Sequence, residues 1–473
     1  MDHYSKFHSA VRSAAEKFKS LSGNGFVRII SHMDSDGISA ASILIRAFTR
    51  LGNGYSLTVV SQLNSEFLEG LSAEDYKNYF FVDTGSSMIG MIAKHLKTRN
   101  VFILDHHEIE GQDSGEGIVH INSHLFNIDG GRDICSSGIA YYFCKALDTA
   151  NADSAHLAIV GIIGETQDKQ GLMPLNNQII EDARDNGLIE INNGLRLFGT
   201  HSRPLHKVIE YSSELIIPGV TGDEKESMAF LKEIGIRLKN GNEWRKLHEL
   251  NDDETRTLTA AIIERRKSLD NPSDIYGISY LIKNEENGSP FKDVREFSTI
   301  LNACGRLGKA SLGIGACLGN ESLKRRAIQN LKDYKIEIVK AMNWYKKNMG
   351  SKVVVEERFV IINAEDNIMA PLIGTFSSLI AKTGEVSDNT FVLGMAQAID
   401  NTTKISLRIA GKQSVMDVDL TEVMKEIINQ LGCGETGGHK LASGAIIPTQ
   451  MEKRFIDVAK EVLRRKSIEE SVK

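Results

Sequence analysis

The chain has five cysteines in 473 residues, and no two of them stand in a Cys-x-x-Cys spacing. A zinc site or a disulfide framework is thereby disfavoured, and Cys135, Cys144, Cys304, Cys317 and Cys433 read as reduced core residues. Long apolar runs are also missing. Residues 157–164 are among the longest and are far too few to cross a bilayer. The first 20 residues alternate charge with small side chains and lack the apolar centre of a secretion signal. They read as an amphipathic helix of a cytoplasmic protein. No Gly-x-Gly-x-x-Gly follows the first predicted strand and there is no phosphate-loop Gly-Lys-Ser/Thr. Dinucleotide binding and ATP hydrolysis of those types are disfavoured. There is no repeat of solenoid period and no low-complexity tract.

Net positive charge is lacking too. The chain carries −6 at pH 7, so it is not a basic nucleic-acid binder as a whole. Residues 201–350 hold 25 Lys+Arg against 21 Asp+Glu, a net of +4, and the remainder holds 31 against 41, a net of −10. An acidic part beside a mildly basic middle is compatible with metal sites in one and phosphate contacts in the other. Clusters such as Arg265-Arg266-Lys267 and Lys324-Arg325-Arg326 also read simply as solvated helix faces.

What is present is an ordinary globular composition, 41% hydrophobic and 25% charged. The length exceeds one core, and the pattern divides it into 1–200, 201–350 and 351–473. In the first part strands are predicted at 26–30, 57–61, 79–82, 101–104 and 118–121, and helices at 38–51, 88–97, 136–150 and 154–163. That order predicts an α/β fold with a mostly parallel sheet covered on both faces. The middle is a helix-rich insertion, with helices at 252–269 and 323–348, a strand at 276–282 and a Gly-rich stretch at 301–319. Alternation then returns, with strands at 359–363, 391–398 and 404–410 and helices at 369–382 and 420–431. This predicts a second, smaller α/β domain.

The chain is organised around residues 31–40, Ser-His-Met-Asp-Ser-Asp-Gly-Ile-Ser-Ala, where the first strand gives way to a helix. In an open α/β sheet that strand end is where ligands bind. An extended backbone would point His32, Asp34 and Asp36 the same way, and three such donors suggest a divalent metal. The plainer alternative is an Asp-rich helix cap, with Gly37 relieving strain. Recurrence favours the metal. Asp83 ends Phe80-Phe81-Val82, Asp105-His106-His107 follows 101–104, and Glu165 ends 159–164 with Asp168 close behind. Donors placed this way can hold two divalent ions about 4 Å apart. One carboxylate must bridge them, and Asp83 is alone on its strand. Such a pair suits phosphodiester hydrolysis, because it polarises phosphoryl oxygens and makes hydroxide available near neutral pH. Mixed oxygen and imidazole donors suit Mn2+ better than Mg2+.

Asp105-His106-His107, with His32-x-Asp34-x-Asp36-Gly37 upstream, resembles the DHH phosphoesterase superfamily. The stretch from Gly434 to Gly444, with Gly437-Gly438-His439 inside it, resembles the Gly-Gly-His loop of that superfamily's DHHA1-type accessory domain. Residues 122–140 and Asn302-Ala-Cys-Gly305-Arg306 resemble archaeal RecJ-type single-strand exonucleases.

The resemblance implies a DHH catalytic domain over 1–200, a helical connector over 201–350 and a DHHA1-like substrate domain over 351–473, with the active site in the cleft between domains. It implies one Mn2+ held by His32, Asp34 and Asp83, and a second by Asp36, Asp83, His106 and Glu165, with Mg2+ a substitute. His107 then faces the scissile phosphate, or else orients Asp105 or His106. Gly437 and Gly438 let backbone amides approach an anion. His439 contacts phosphate or the terminal nucleotide. Arg408 and Arg306, the latter in a Gly-rich loop, contact phosphate or are surface residues. Glu165 stands where the family has Asp, so Asp168 competes for that role. The implied activity is exonucleolytic hydrolysis of single-stranded DNA or RNA in replication or repair, with GINS and the replicative helicase as partners and no membrane. The alternatives are a replication scaffold bound to those partners, or a hydrolase of short oligoribonucleotides or small nucleotides.

Overall fold

The structure is a computed structural model. It describes residues 2–472 apart from 22–24, 110–116, 213–214, 270, 383 and 412–417, and the side chains of 439 and 468–472 also fall outside the description. The chain forms two compact units. The first comprises residues 1–63, 68–305 and 310–328, and the second comprises 64–67, 306–309 and 329–473.

The first unit opens with α1 (His3–Leu21), β1 (Phe26–His32), α2 (Ser35–Arg50) and β2 (Gly54–Val60). The chain continues with α3 (Ser65–Ser72), whose residues 65–67 belong to the second unit, and then β3 (Asn78–Val82), α4 (Ile89–His95), β4 (Asn100–Asp105) and β5 (Ile118–Asn122) of the first. Next come α5 (Ser136–Leu147), α6 (Ala155–Gly164) and α7 (Pro174–Asp185). The five strands form one parallel sheet in the order β2-β1-β3-β4-β5. The chain leaves β1 for β2 on one side and returns to β3 on the other. The ends of β1 and β3 are therefore the point where the strand order reverses, the usual ligand position of such sheets. The sheet interior is aromatic, with Phe80 stacked on Phe102 at 4.7 Å and Phe18, Phe48 and Phe143 packed around them. This is the α/β architecture the alternation predicts.

β6 (Ile189–Leu195) pairs antiparallel with β9 (Tyr276–Ile282), and the residues between them have a core of their own. They include α8 (Leu205–Glu210), α9 (Glu224–Glu233), the short β7 (Lys239–Asn240) and β8 (Glu243–Trp244), and α10 (Asp252–Arg265). Leu205, Val208, Phe230, Leu231, Leu258 and Ile262 close that core.

The Gly-rich stretch differs from its reading. It folds as α11 (Val294–Arg306) and α12 (Ala310–Cys317), followed by α13 (Glu321–Lys347). Arg306 therefore ends a helix and does not sit in a loop. These glycines serve packing: a Cβ on Gly315 would meet Leu323 Cδ1 at 2.0 Å.

The second unit continues with β10 (Val353–Glu356), β11 (Phe359–Asn363), α14 (Ile373–Lys382), β12 (Phe391–Gln397) and β13 (Thr402–Ile409). It ends with α15 (Leu420–Leu431), β14 (Glu435–His439), β15 (Ala442–Pro448) and α16 (Glu452–Val472). The sheet order is β10-β11-β12-β13-β15-β14. Alternate residues serve opposite faces. Phe359, Ile361, Phe391 and Leu393 join α15 in one core, while Val360, Ile362 and Val392 join α14 in the other. The Gly-Gly-His stretch, expected as a loop, is strand β14, whose Gly437 pairs with Gly444 of β15. All five cysteines are free and four are buried. No helix among the described residues is long and apolar enough to cross a membrane.

Candidate metal centre

The turn after β1 does not stay extended, so His32, Asp34 and Asp36 do not converge by strand alternation. They converge through a helix cap. Asp34 N-caps α2, and its Oδ1 accepts from the amides of Asp36 at 3.1 Å and Gly37 at 3.0 Å. Its Oδ2 lies 2.9 Å from His32 Nδ1. Asp36 is fully buried in the first turn, where the N-terminus of α5 holds it: the amides of Ser136 and Ser137 donate to Oδ2 and Oδ1 at 2.8 and 2.9 Å. α6 can lie this close only because residue 161 is glycine, since a Cβ there would stand 2.4 Å from Asp36 Oδ1 and 2.0 Å from Ser137 Oγ.

Asp83 follows β3 with φ of 59°, a left-handed conformation that a non-glycine residue adopts only when its surroundings impose it. It is 2% exposed. Its Oδ2 lies 3.2 Å from His32 Nδ1, and its Oδ1 lies 3.4 Å from His106 Nε2 and 3.8 Å from His107 Nδ1. Ser136 Oγ donates to Oδ1 at 3.1 Å. Two donor groups meet here. The ligand atoms of His32, Asp34 and Asp83 lie within 4.8 Å of one another, as do those of Asp83, His106 and His107. Asp83 is common to both.

The second group is fixed from behind. His106 Nδ1 is 2.6 Å from the Gly130 carbonyl, which only accepts, so Nδ1 carries the hydrogen and Nε2 turns towards Asp83 and, at 3.9 Å, Asp36. Gln167, itself buried, donates to the same carbonyl at 2.9 Å. Asp105 is fully buried and committed: it accepts from the amides of Ser86, His106 and His107 and from His107 Nδ1 at 2.7 Å. It orients the histidines that follow it.

The electrostatics describe an excess of anionic donors. Burial disfavours the charged forms of His32 and His106, but Asp34 and Asp83 outweigh it for His32, and Asp83 and Asp36 for His106, holding both well above the usual imidazole range. Burial likewise pulls His107 down, and Asp105 more than restores it. Burial and then Asp83 push Asp36 up to about 6. Burial and then Asp34 push Glu165 up to about 8. Asp83 goes the other way: burial raises it, and His106 and His32 hold it well below the carboxylate range. Among the described residues, no lysine or arginine forms an ion pair with Asp34, Asp36, Asp83 or Glu165. The His106 Nε2 lone pair facing two carboxylates is stable only with a proton or a cation between them. The donor set therefore fits divalent metal.

Glu165 caps the C-terminus of α6 and acts on His106, Asp34, Asp36 and Asp83. Asp168 lies elsewhere, in an ion pair of 2.5 Å with Arg295.

In the second unit, Arg408 and Lys404 share one face of β13, with Arg306 near both. Arg408 Nε donates to Ser378 Oγ at 2.9 Å, and Nη1 donates to the carbonyls of Leu407 and Ser443. Ser443 pairs with Gly438, so the Gly437-Gly438 strand runs beside this cluster, while the His439 side chain lies outside the described residues. Burial, then Arg306 and Arg408, lowers Lys404 to about 8; burial, then Arg306, lowers Arg408 to about 10. Among the described residues none of the three has a carboxylate in ion-pair reach. Between Lys404 and Arg408, the buried Ser406 Oγ has no hydrogen-bond partner among the described residues. Sequence reasoning missed Lys404 and Ser406, although period two from Arg408 points to both. Ser136, Ser137 and Gln167 carry no local signal of their roles.

Family models match three stretches: the DHH family, N-terminal domain, at residues 26–162, the DHH-CID domain at 197–277 and the DHHA1 domain at 357–465. An uncharacterized protein of Methanocaldococcus jannaschii is 30% identical over 456 residues, which are 95% of this chain and 96% of that one. Among solved structures, RecJ of Thermus thermophilus in complex with Mn2+ is similar with a TM-score of 0.57 and 16% identity over 96% of this chain, which spans 55% of that RecJ. An exonuclease RecJ bound to manganese is similar at 0.56 and 16% identity, over 96% and 94% of the two chains. CDC45 of Entamoeba histolytica is similar at 0.62 and 12% identity, over 98% and 99%.

Proposed function

Because this chain is a RecJ-like member of the DHH superfamily, we propose that it is a metal-dependent phosphodiesterase removing nucleotides from single-stranded DNA or RNA. The observation that carries this reading is Asp83, held in a strained backbone and shared by two donor groups. His32, Asp34 and Asp83 would hold one divalent ion, and Asp36, Asp83, His106 and Glu165 the other. When bound, such ions supply charge neutralisation at the phosphoryl group and a nucleophile at neutral pH. The chain's own residues do the rest. Asp105 holds His107 by Nδ1 and favours the imidazolium, which suits a scissile phosphate oxygen. Arg306, Lys404, Arg408 and Ser406 form a cradle for a substrate phosphate, with Gly437, Gly438 and His439 beside it. The likeness to CDC45 supports a second reading, a replication scaffold binding GINS and the replicative helicase, and both roles can share one chain.

The reading is tested by digesting single-stranded DNA and RNA, labelled at each end in turn, with Mn2+ present. Stepwise release of nucleotides from one end is expected. Intact strands with the unsubstituted protein would overturn the nuclease reading and leave the scaffold.

The cationic cradle has its own expected result. An anion placed between Lys404, Arg306 and Arg408 favours charged Lys404 and raises its pKa from about 8. Thymidine 5′-monophosphate should therefore bind with proton uptake near pH 8, and its affinity should fall as pH rises beyond that. Calorimetry in two buffers of different ionisation heat measures the uptake. Lys404→Gln should abolish it.

A further inference from the structure

The turn bearing Asp34 and Asp36 and the segment bearing Glu165 are gripped by one face of α11, and we propose that Asn302 on that face is a positioning residue for the metal ligands. The inference rests on the metal reading of those residues. Arg295, Ser298, Asn302 and Gly305 recur at helical spacing. Each meets one of the two segments. Arg295 pairs with Asp168, three residues beyond Glu165. Ser298 Cβ lies 3.5 Å from the point a Cβ on Gly164 would occupy. Asn302 reaches Ser35, between the two aspartates: its Oδ1 accepts from the Ser35 amide at 3.0 Å and its Nδ2 donates to Ser35 Oγ at 3.3 Å. Gly305 passes so close to the Met33 carbonyl that a Cβ there would stand 1.6 Å from it.

The first turn of α2 shows why Asn302 matters. Its opening amides have no partner within the helix. Asp34 takes those of Asp36 and Gly37 through Oδ1, and the Asp34 carbonyl takes that of Ile38. The amide of buried Ser35 is left, and among the described residues Asn302 accepts from it. Without Asn302 that amide competes for the Asp34 carboxylate, whose Oδ2 faces His32. α11 thus acts as a splint that sets Asp34 and Asp36 against Glu165 without touching the metal positions.

The test is a Mn2+ titration of metal-freed full-length protein, following free Mn2+ by electron paramagnetic resonance. Asn302→Ala should weaken Mn2+ binding by about ten- to a hundredfold, the usual cost of removing a group that orients ligands. Asn302→Leu, which keeps the volume and loses both hydrogen bonds, should do the same and guards against a collapse of packing. Ser35→Ala keeps the amide bond to Asn302 and should bind nearly as the unsubstituted protein does. A merely structural role for Asn302 would lower the melting temperature and leave the Mn2+ affinity of the folded protein unchanged. That result in both Asn302 variants overturns the inference alone. Failure of the unsubstituted protein to bind Mn2+ overturns the metal reading and the inference with it.

Discussion

Asp83→Ala should reduce cleavage by on the order of 10³-fold or more, since it removes the carboxylate shared by both donor groups and with it several kcal/mol of charge stabilisation. The fold should survive. Asp83 follows β3, its amide bond to the Leu104 carbonyl is kept by alanine, and the aromatic core around Phe80 and Phe102 does not involve its side chain. Circular dichroism and a Mn2+ titration separate the outcomes: native spectrum, lost metal and lost turnover are expected together. Near-normal turnover with Mn2+ present would sink the bridging role.

The second large effect concerns Glu165. On a continuing helix, Glu165 and Asp168 would share a face, and spacing could not choose between them. The helix does not continue. α6 ends at Gly164, Thr166 has φ of 57°, and Asp168 turns to Arg295. Burial, then Asp34, and further Asp36 and Asp83 push Glu165 up. Glu165→Ala should therefore reduce Mn2+ bound from about two ions per chain to about one and remove most activity. Glu165→Asp should retain part of both. Asp168→Ala should keep both ions, with affinity changed by less than about tenfold, because it loosens only the far end of the α11 contact. Loss of metal in Asp168→Ala with retention in Glu165→Ala would reverse the assignment.

Much of this was legible in the residues, for physical reasons. Apolar runs alternating with amphipathic ones marked each strand of the parallel sheet, and residues 420–431 were bounded by Asp419, which caps α15, and Gly432 in the left-handed conformation. Their place at element ends singles out His32, Asp34, Asp36, Asp83, His106, His107 and Glu165 as candidates. The means of convergence was not legible: the first three meet through a helix cap, where an extended strand was expected. Residues 301–319 misled because glycine signals both flexible chain and close helix packing, and only the neighbours decide which. Asn302 and Gln167 act on groups far away in sequence, so no local pattern announces their roles.

Leu195 and Tyr276 are opposed partners at the end of the β6–β9 pair; the described residues between them share an apolar core of their own, and Ser202 bonds Glu296 of α11. The chain thus leaves and re-enters the first unit through adjacent strands, like the two legs of a hairpin. A two-residue Asn-Gly turn spans such a gap without altering strand register. Residues 196–275 are consequently a cassette whose two ends meet at one strand pair, while every proposed metal ligand lies outside it.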